Sequence, residues 1–257
     1  MRRLTIPHAV PLLLFGLAIL TTAGARALAA GCPPEPAGWS YSGKTGPAMW
    51  GGLDPAFAVC ANGKEQSPIA LTAPGGAISY FPRVHFFYGR GAITHLDHND
   101  QTIRNDGAGN YITIGGVRYD LINDHFHTPS EHTLGGKSFP LELHLVHRDA
   151  AGKLAVVGIF FTPGKANKGI VELPSIKDYG HIVMKPAALV PRGGKQIRYD
   201  GSLTTPPCSQ DLTWTVMSQP VEMSLAQIQA IQSAVEGCWG TANNARPMQS
   251  LNGRVPK

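Results

Sequence analysis

The sequence predicts a mainly β protein of one domain, from three observations. Its 257 residues include 30 Gly and 21 Pro, a density of turn formers that cuts a chain into short segments. Several of those segments alternate apolar and polar residues with the strand period of two, above all LELHLVH at 141–147. A clear helical period occurs once, at 224–235. The hydrophobic content of 43% is ample for a core. No repeat, low-complexity tract or linker divides the chain.

Residues 1–29 read as a secretory signal peptide, leaving 30–257 as the folded domain. Arg2 and Arg3 give a positive start, AVPLLLFGLAIL at 9–20 is an apolar run too short to span a membrane, and Ala27-Leu28-Ala29 offers a cleavage site. A rival reading makes AAGC at 29–32 a lipid-attachment box at Cys32. Export without lipid, to a periplasm or medium, is favoured, because Arg26 separates the box from the apolar run. Without Arg2, Arg3 and Arg26 the basic count falls from 22 to 19 against 17 acidic residues, a net charge of +2. That near-neutral balance argues against a nucleic-acid partner. An exported chain meets an oxidising compartment, and its four cysteines, Cys32, Cys60, Cys208 and Cys238, allow three pairings.

The elements follow in chain order. Residues 39–57 read as irregular coil pinned by Trp39, Tyr41 and Trp50. Residues 80–87 form a plausible strand. YITI at 111–114, Gly115-Gly116 and 117–122 make a hairpin, the two glycines supplying the tight turn. LAVVGIFF at 154–161 has the length of a buried strand. Residues 165–181 are mixed and polar, and read as loop, with His181 at the surface. Residues 212–216 read as a strand. The helix starts at Ser224, whose hydroxyl and Gln227 make a capping box. Leu225, Ile228, Ile231 and Val235 form its apolar stripe, and Gly237 ends it.

The chemistry concentrates in residues 123–147, NDHFHTPSEHTLGGKSFPLELHLVH. Extended backbone turns His125 and His127 to one face. It turns Glu142, His144 and Val146 to one face of the next strand, with Leu141, Leu143 and Leu145 opposite. Adjacent strands would bring three imidazoles together and leave a fourth position open, the ligand count of a catalytic zinc site. Buried histidines and carboxylates are costly unless paired or ligated. Glu142 and Asn123 are on the right faces to accept the imidazole N–H groups.

In order, H-x-H, S-E-H and E-x-H-x-V-H, this stretch resembles the α-class carbonic anhydrases. The likeness runs from W-x-Y-x-G-x-x-G-P-x-x-W at 39–50 and GKEQSPI at 63–69, through YDGSLTTPP at 199–207, to N-x-R-P-x-Q-x-L at 244–251. The resemblance implies a single domain built on a large twisted, mostly antiparallel β-sheet with a few short peripheral helices. It implies reversible hydration of CO2 to bicarbonate and a proton, with Zn2+ as cofactor and these small molecules as substrate and product. It also implies a Cys60–Cys208 disulfide. Cys32 and Cys238 then pair, stay free or link two chains as a homodimer.

By residue matching, the resemblance makes His125, His127 and His144 the zinc ligands. Zinc so held lowers the pKa of its water from about 15.7 to about 7. Thr204, donating to Glu131, would orient the attacking oxygen. Thr205 would stand at the mouth, and Val146, Val156, Leu203 and Trp214 would make an apolar slot for CO2. Asn123 would hold His125, Glu142 would hold His144 and the Asn244 carbonyl would hold His127. Relatives more often carry Gln at position 123, so the shorter Asn predicts a longer or water-mediated contact. Tyr41 would join the water network. The family's relay histidine is missing: alignment frames put Gln101 or Ala108 there, and His98, with His95 nearby, is the candidate stand-in proton shuttle. The rival reading is a domain of the same type that binds without turnover, but such domains lack a zinc histidine, the Thr or the Glu, and all are present here.

Overall fold

A computed structural model describes residues 38–72, 82–89, 93–96, 102–105, 109–173, 182–191 and 195–257. Its strands are β1 (Ala70–Leu71), β2 (Val84–Phe87), β3 (Ile93–Leu96), β4 (Thr102–Asn105), β5 (Tyr111–Ile114), β6 (Val117–His127), β7 (Thr133–Leu134), β8 (Leu141–Asp149), β9 (Leu154–Pro163), β10 (Ile170–Glu172), β11 (Ile182–Met184), β12 (Gln196–Gly201) and β13 (Leu212–Met223). Its helices are α1 (Trp50–Leu53), α2 (Val59–Asn62), α3 (Pro186–Leu189) and α4 (Leu225–Trp239). Among the described residues the main sheet has seven strands in the order β12-β13-β9-β8-β6-β5-β2. Its pairs are antiparallel except β13 with β9. The mainly β expectation holds.

The hairpin forms as expected, with Gly115 and Gly116 at φ +57° and +85° between β5 and β6. Two left-handed residues are what a tight turn matched to strand twist requires. The alternation in β8 holds as well. Leu141, Leu143 and Leu145 are fully buried in one core cluster with Val157, Ile159 and Phe161 of β9. Burying each such side chain is worth about 1.5–3 kcal/mol. Val146 faces the other way, into a cluster with Val156, Phe160 and Trp214. Apolar clusters therefore pack against both faces of the sheet, and the half-buried His125 and the buried His127, Glu142 and His144 stand among them where β6 pairs with β8.

Several expectations are corrected. Residues 39–57 are short helical turns rather than coil: two 3-10 turns and α1, around a buried Trp50 whose Nε1–H donates to the Ser40 carbonyl at 2.9 Å. The strand expected at 80–87 covers Val84–Phe87, with 80 and 81 outside the described residues. The 165–181 segment contains β10, which pairs with β11; His181 lies outside the described residues. The capping box at Ser224 is present, but Gly237 does not end α4. Glycine inside a helix costs only about 1 kcal/mol, and the helix stops at Gly240, φ +66°, whose N–H closes on Glu236 O at 2.8 Å. Ile228 and Ile231 are buried, whereas Leu225 is 60% exposed, so the packed stripe begins one turn later than predicted.

The open sheet's outer strands, β2 and β12, are joined by a side chain. Gln196 accepts from the Val84 N–H at 2.9 Å and donates to the Val84 carbonyl at 3.0 Å. One amide thus copies a pair of ladder hydrogen bonds between the two outer strands, while Arg198 of β12 also exchanges backbone bonds with Lys257.

Candidate metal centre

The centre lies where β6 and β8 pair, with His125 directly opposite His144 and His127 opposite Glu142. A register shift between Leu121 and Asn123 prepares it. The extra residue lets Leu121 enter the core cluster while Ile122 and Asn123 both line a cavity. A bulge of this kind re-aims side chains without ending the strand.

Each of the three histidines has one ring nitrogen fixed by an acceptor. His125 Nδ1 meets Asn123 Oδ1 at 2.7 Å, His127 Nδ1 meets the Asn244 carbonyl at 2.8 Å, and His144 Nε2 meets Glu142 Oε1 at 3.0 Å. Those acceptors require the proton on the nitrogen facing them. The bare nitrogens are then His125 Nε2, His127 Nε2 and His144 Nδ1. They converge: His144 Nδ1 and His125 Nε2 are 3.3 Å apart, and His127 Nε2 is buried without a hydrogen-bond partner. The three residues offer ligand atoms within 4.8 Å of one another. A tetrahedral ion with nitrogen ligands at about 2.0–2.1 Å holds them about 3.3 Å apart. Burial pushes His127 down to about 4 and His144 downward too, which keeps them neutral, the form that ligates.

The Asn123 contact was expected to be long or water-mediated. It is direct at 2.7 Å: the two residues stand two apart on one strand face, close enough for the shorter amide to reach the ring. The Asn244 and Glu142 contacts lie where the sequence reading put them, but Glu142 Oε1 is shared. It also meets His132 Nδ1 at 2.7 Å, and His132 Nε2 meets the Tyr199 hydroxyl at 2.6 Å. Burial would raise Glu142, yet His132 and His144 outweigh it and hold the carboxyl well below its ordinary value. His132, Glu142 and His144 form a second cluster of possible ligands, but both His132 nitrogens are occupied there. Its role is to brace Glu142 and so His144. The spacing S-E-H carried that signal, although sequence reasoning gave His132 no task.

Glu131 is buried beside the centre, with Oε2 3.5 Å from His127 Nε2 and 3.9 Å from His144 Nδ1. Its Oε1 accepts from the Arg246 N–H at 2.8 Å. Burial raises its carboxyl to about 7, against the lowering influence of His144, the Arg246 N–H and the Thr204 hydroxyl. Oε2 itself has no hydrogen bond of ordinary geometry, so Thr204 and Glu131 are neighbours rather than a tightly closed pair.

A cavity of about 450 Å³ reaches His125 and His144, with His127 outside its lining. Val146, Val156, Leu203, Trp214, Thr204 and Thr205, all predicted, line it with His125, His144 and Asn123; Ile122, Leu154 and Arg148 line it too and were missed. Extending the two-residue period of β8 from His144 and Val146 to 148 would have found Arg148. Tyr41 is not among the lining residues; its ring packs edge-on against Trp39 and Trp50 at 5.5 and 5.9 Å. The Cys60–Cys208 disulfide is present. It ties the chain just beyond Thr204 and Thr205 to α2, and Arg246 Nη2 donates to the Cys60 carbonyl at 2.9 Å. Cys32, His98, Gln101 and Ala108 lie outside the described residues.

A family model described as eukaryotic-type carbonic anhydrase matches residues 45–255. A carbonic anhydrase of Pectobacterium carotovorum is 38% identical over 224 residues, covering 84% of this chain and 89% of its own. One from Nostoc is 34% identical over 258 residues, covering 94% of each. Among solved structures, an α-carbonic anhydrase from Thermovibrio ammonificans in complex with the inhibitor sulfanilamide is 36% identical. It superposes with a TM-score of 0.73 over 85% of this chain and 97% of its own.

Proposed function

We infer the function from one premise: the chain belongs to the eukaryotic-type, α-class carbonic anhydrase family. On that premise we propose that it catalyses the reversible hydration of CO2 to bicarbonate and a proton, with zinc held by His125, His127 and His144. The observation that carries the reading is the convergence of three bare imidazole nitrogens whose opposite nitrogens are all fixed by acceptors. Lone pairs 3.3 Å apart repel unless a cation lies between them. Zinc, when bound, supplies a water acidic enough to lose its proton near pH 7.

The chain's own residues supply the rest. Asn123, Asn244 and Glu142 fix the three rings and their tautomers. Val146, Val156, Leu203 and Trp214, whose indole N–H is committed to the Ser202 carbonyl at 3.0 Å, give an apolar wall suited to a small apolar substrate. When Glu131 is ionised and takes the Thr204 proton in a hydrogen bond, the Thr204 hydroxyl can only accept from the oxygen that attacks, and so orients it. Thr205 stands at the mouth. Export is supported by the disulfide and by the leader-like residues 1–29; among the described residues no helix is long and apolar enough to cross a membrane.

Stopped-flow CO2 hydration tests the proposal. Activity should vanish on dialysis against a strong zinc chelator and return with one equivalent of zinc. Full activity in the metal-free protein would sink it. Thr204→Ala should keep stoichiometric zinc and lose about a hundredfold in kcat/KM, the scale of a lost positioning contact.

A further inference from the structure

The cavity has one charged residue that none of these roles uses. Arg148 lines it, four residues beyond His144 and two beyond Val146 on the same face of β8. At about 3.3 Å of rise per residue it stands about 13 Å along the strand from His144, at the outer end of the apolar wall. Its guanidinium makes no hydrogen bond or ion pair among the described residues. The nearest carboxylate in the sheet register, Asp120 directly across on β6, is already bridged by Arg118 at 2.6 Å. Its other cross-strand partner is Leu154, which cannot pair with it. So the cavity is polar at its inner end, apolar along its length, and carries an uncommitted cation at its outer end.

We propose that Arg148 is a specificity-determining anion anchor, so that the cavity prefers elongated ligands that engage the imidazole end and carry a carboxylate at the other. The proposal rests on the metal-site reading above. A guanidinium offers paired N–H donors in the geometry of a carboxylate. Because the anchor is solvent-exposed, the gain per ligand is a few-fold rather than a hundredfold and is screened by salt.

The test compares two aryl sulfonamides of the same shape, 4-sulfamoylbenzoate and the neutral 4-sulfamoylbenzamide. Their dissociation constants are measured calorimetrically with the zinc-loaded protein and its Arg148→Gln, Arg148→Glu and Arg148→Lys variants. The ratio of neutral to anionic dissociation constants should fall about three- to fivefold in Arg148→Gln. It should fall about tenfold in Arg148→Glu and stay closer to wild type in Arg148→Lys. Raising salt from about 0.02 to 0.3 M should lower the ratio in wild type and leave it flat in Arg148→Gln. Equal ratios in all four proteins, with the neutral compound still binding, would overturn the anchor and leave the metal site standing. Failure of the neutral compound to bind zinc-loaded wild type would instead overturn the metal-site reading, and the anchor with it.

Discussion

Asn123 reaches His125 Nδ1 at 2.7 Å, and that contact decides which nitrogen of His125 is free. Removing it in Asn123→Ala leaves the ring free to turn. Loss of such a supporting contact costs about 10–100-fold in metal affinity. Competitive titration with a fluorescent zinc chelator should show that weakening without loss of fold. Unchanged affinity would mean that strand packing alone orients His125. His147 makes a different demand. It is buried on β8, with Nε2 2.8 Å from the Tyr88 hydroxyl, and burial pushes it down to about 3. Its unfolded value is about 6.5, so between those limits the unfolded chain binds a proton that the folded one refuses. Stability therefore falls as pH drops from about 6.5 toward 3. His127, at about 4, adds to the same slope. In His147→Gln, urea unfolding between pH 7 and 4 should show the slope reduced by about one proton; an unaltered slope would contradict a neutral His147.

At the scale of elements, the site depends on how strands are joined. The hairpin at Gly115-Gly116 sets β5 against β6, and the bulge at Leu121/Asn123 sets the register of β6 on β8. At the sheet's margins the joint is Gln196. Gln196→Ala removes both of its bonds to Val84 and leaves two edge groups to water. A cost of about 1–3 kcal/mol is expected, concentrated at β2. Amide exchange at Val84 should accelerate well beyond that of Leu143 in β8. Equal protection of Val84 in the variant would show that the rest of the fold holds β2 in place.

The whole molecule is tied by the Cys60–Cys208 disulfide, which closes a separation of 148 residues. Its partners reach both sides of the centre. Cys208 N–H donates to the Thr205 carbonyl at 2.8 Å, while Arg246 links the Cys60 carbonyl to Glu131 through its guanidinium and its main-chain N–H. Cys60→Ser should cost about 2–5 kcal/mol of unfolding free energy, read by guanidinium titration. Three ligands fixed on β6 and β8 should still bind zinc in the folded variant. A variant as stable as wild type would place the molecule's stability wholly in its core.

The sequence by itself determined whatever follows from spacing along one strand or one helix. Period two put His125 and His127 on one face and separated Leu141, Leu143 and Leu145 from Glu142, His144 and Val146. The capping box at Ser224 and the two-glycine hairpin are equally local. The disulfide and the pairing of Thr204 with Glu131 came from resemblance, since four cysteines allow three pairings and no spacing chooses among them. Only the tertiary structure decided what lies far apart in the chain. Glu142 Oε1 is shared between His144 and His132, whose other nitrogen meets the Tyr199 hydroxyl 67 residues away, and no spacing announces that third partner. The Gln196 bridge spans 112 residues, and its amide is like any other until the edges meet. Arg148 lay one step of the same period beyond Val146 and was within reach of the spacing, whereas Ile122 and Asn123 both reach the cavity only because of the bulge in β6. A one-residue shift in register moves every side chain to the other face, and the sequence does not mark where that shift falls.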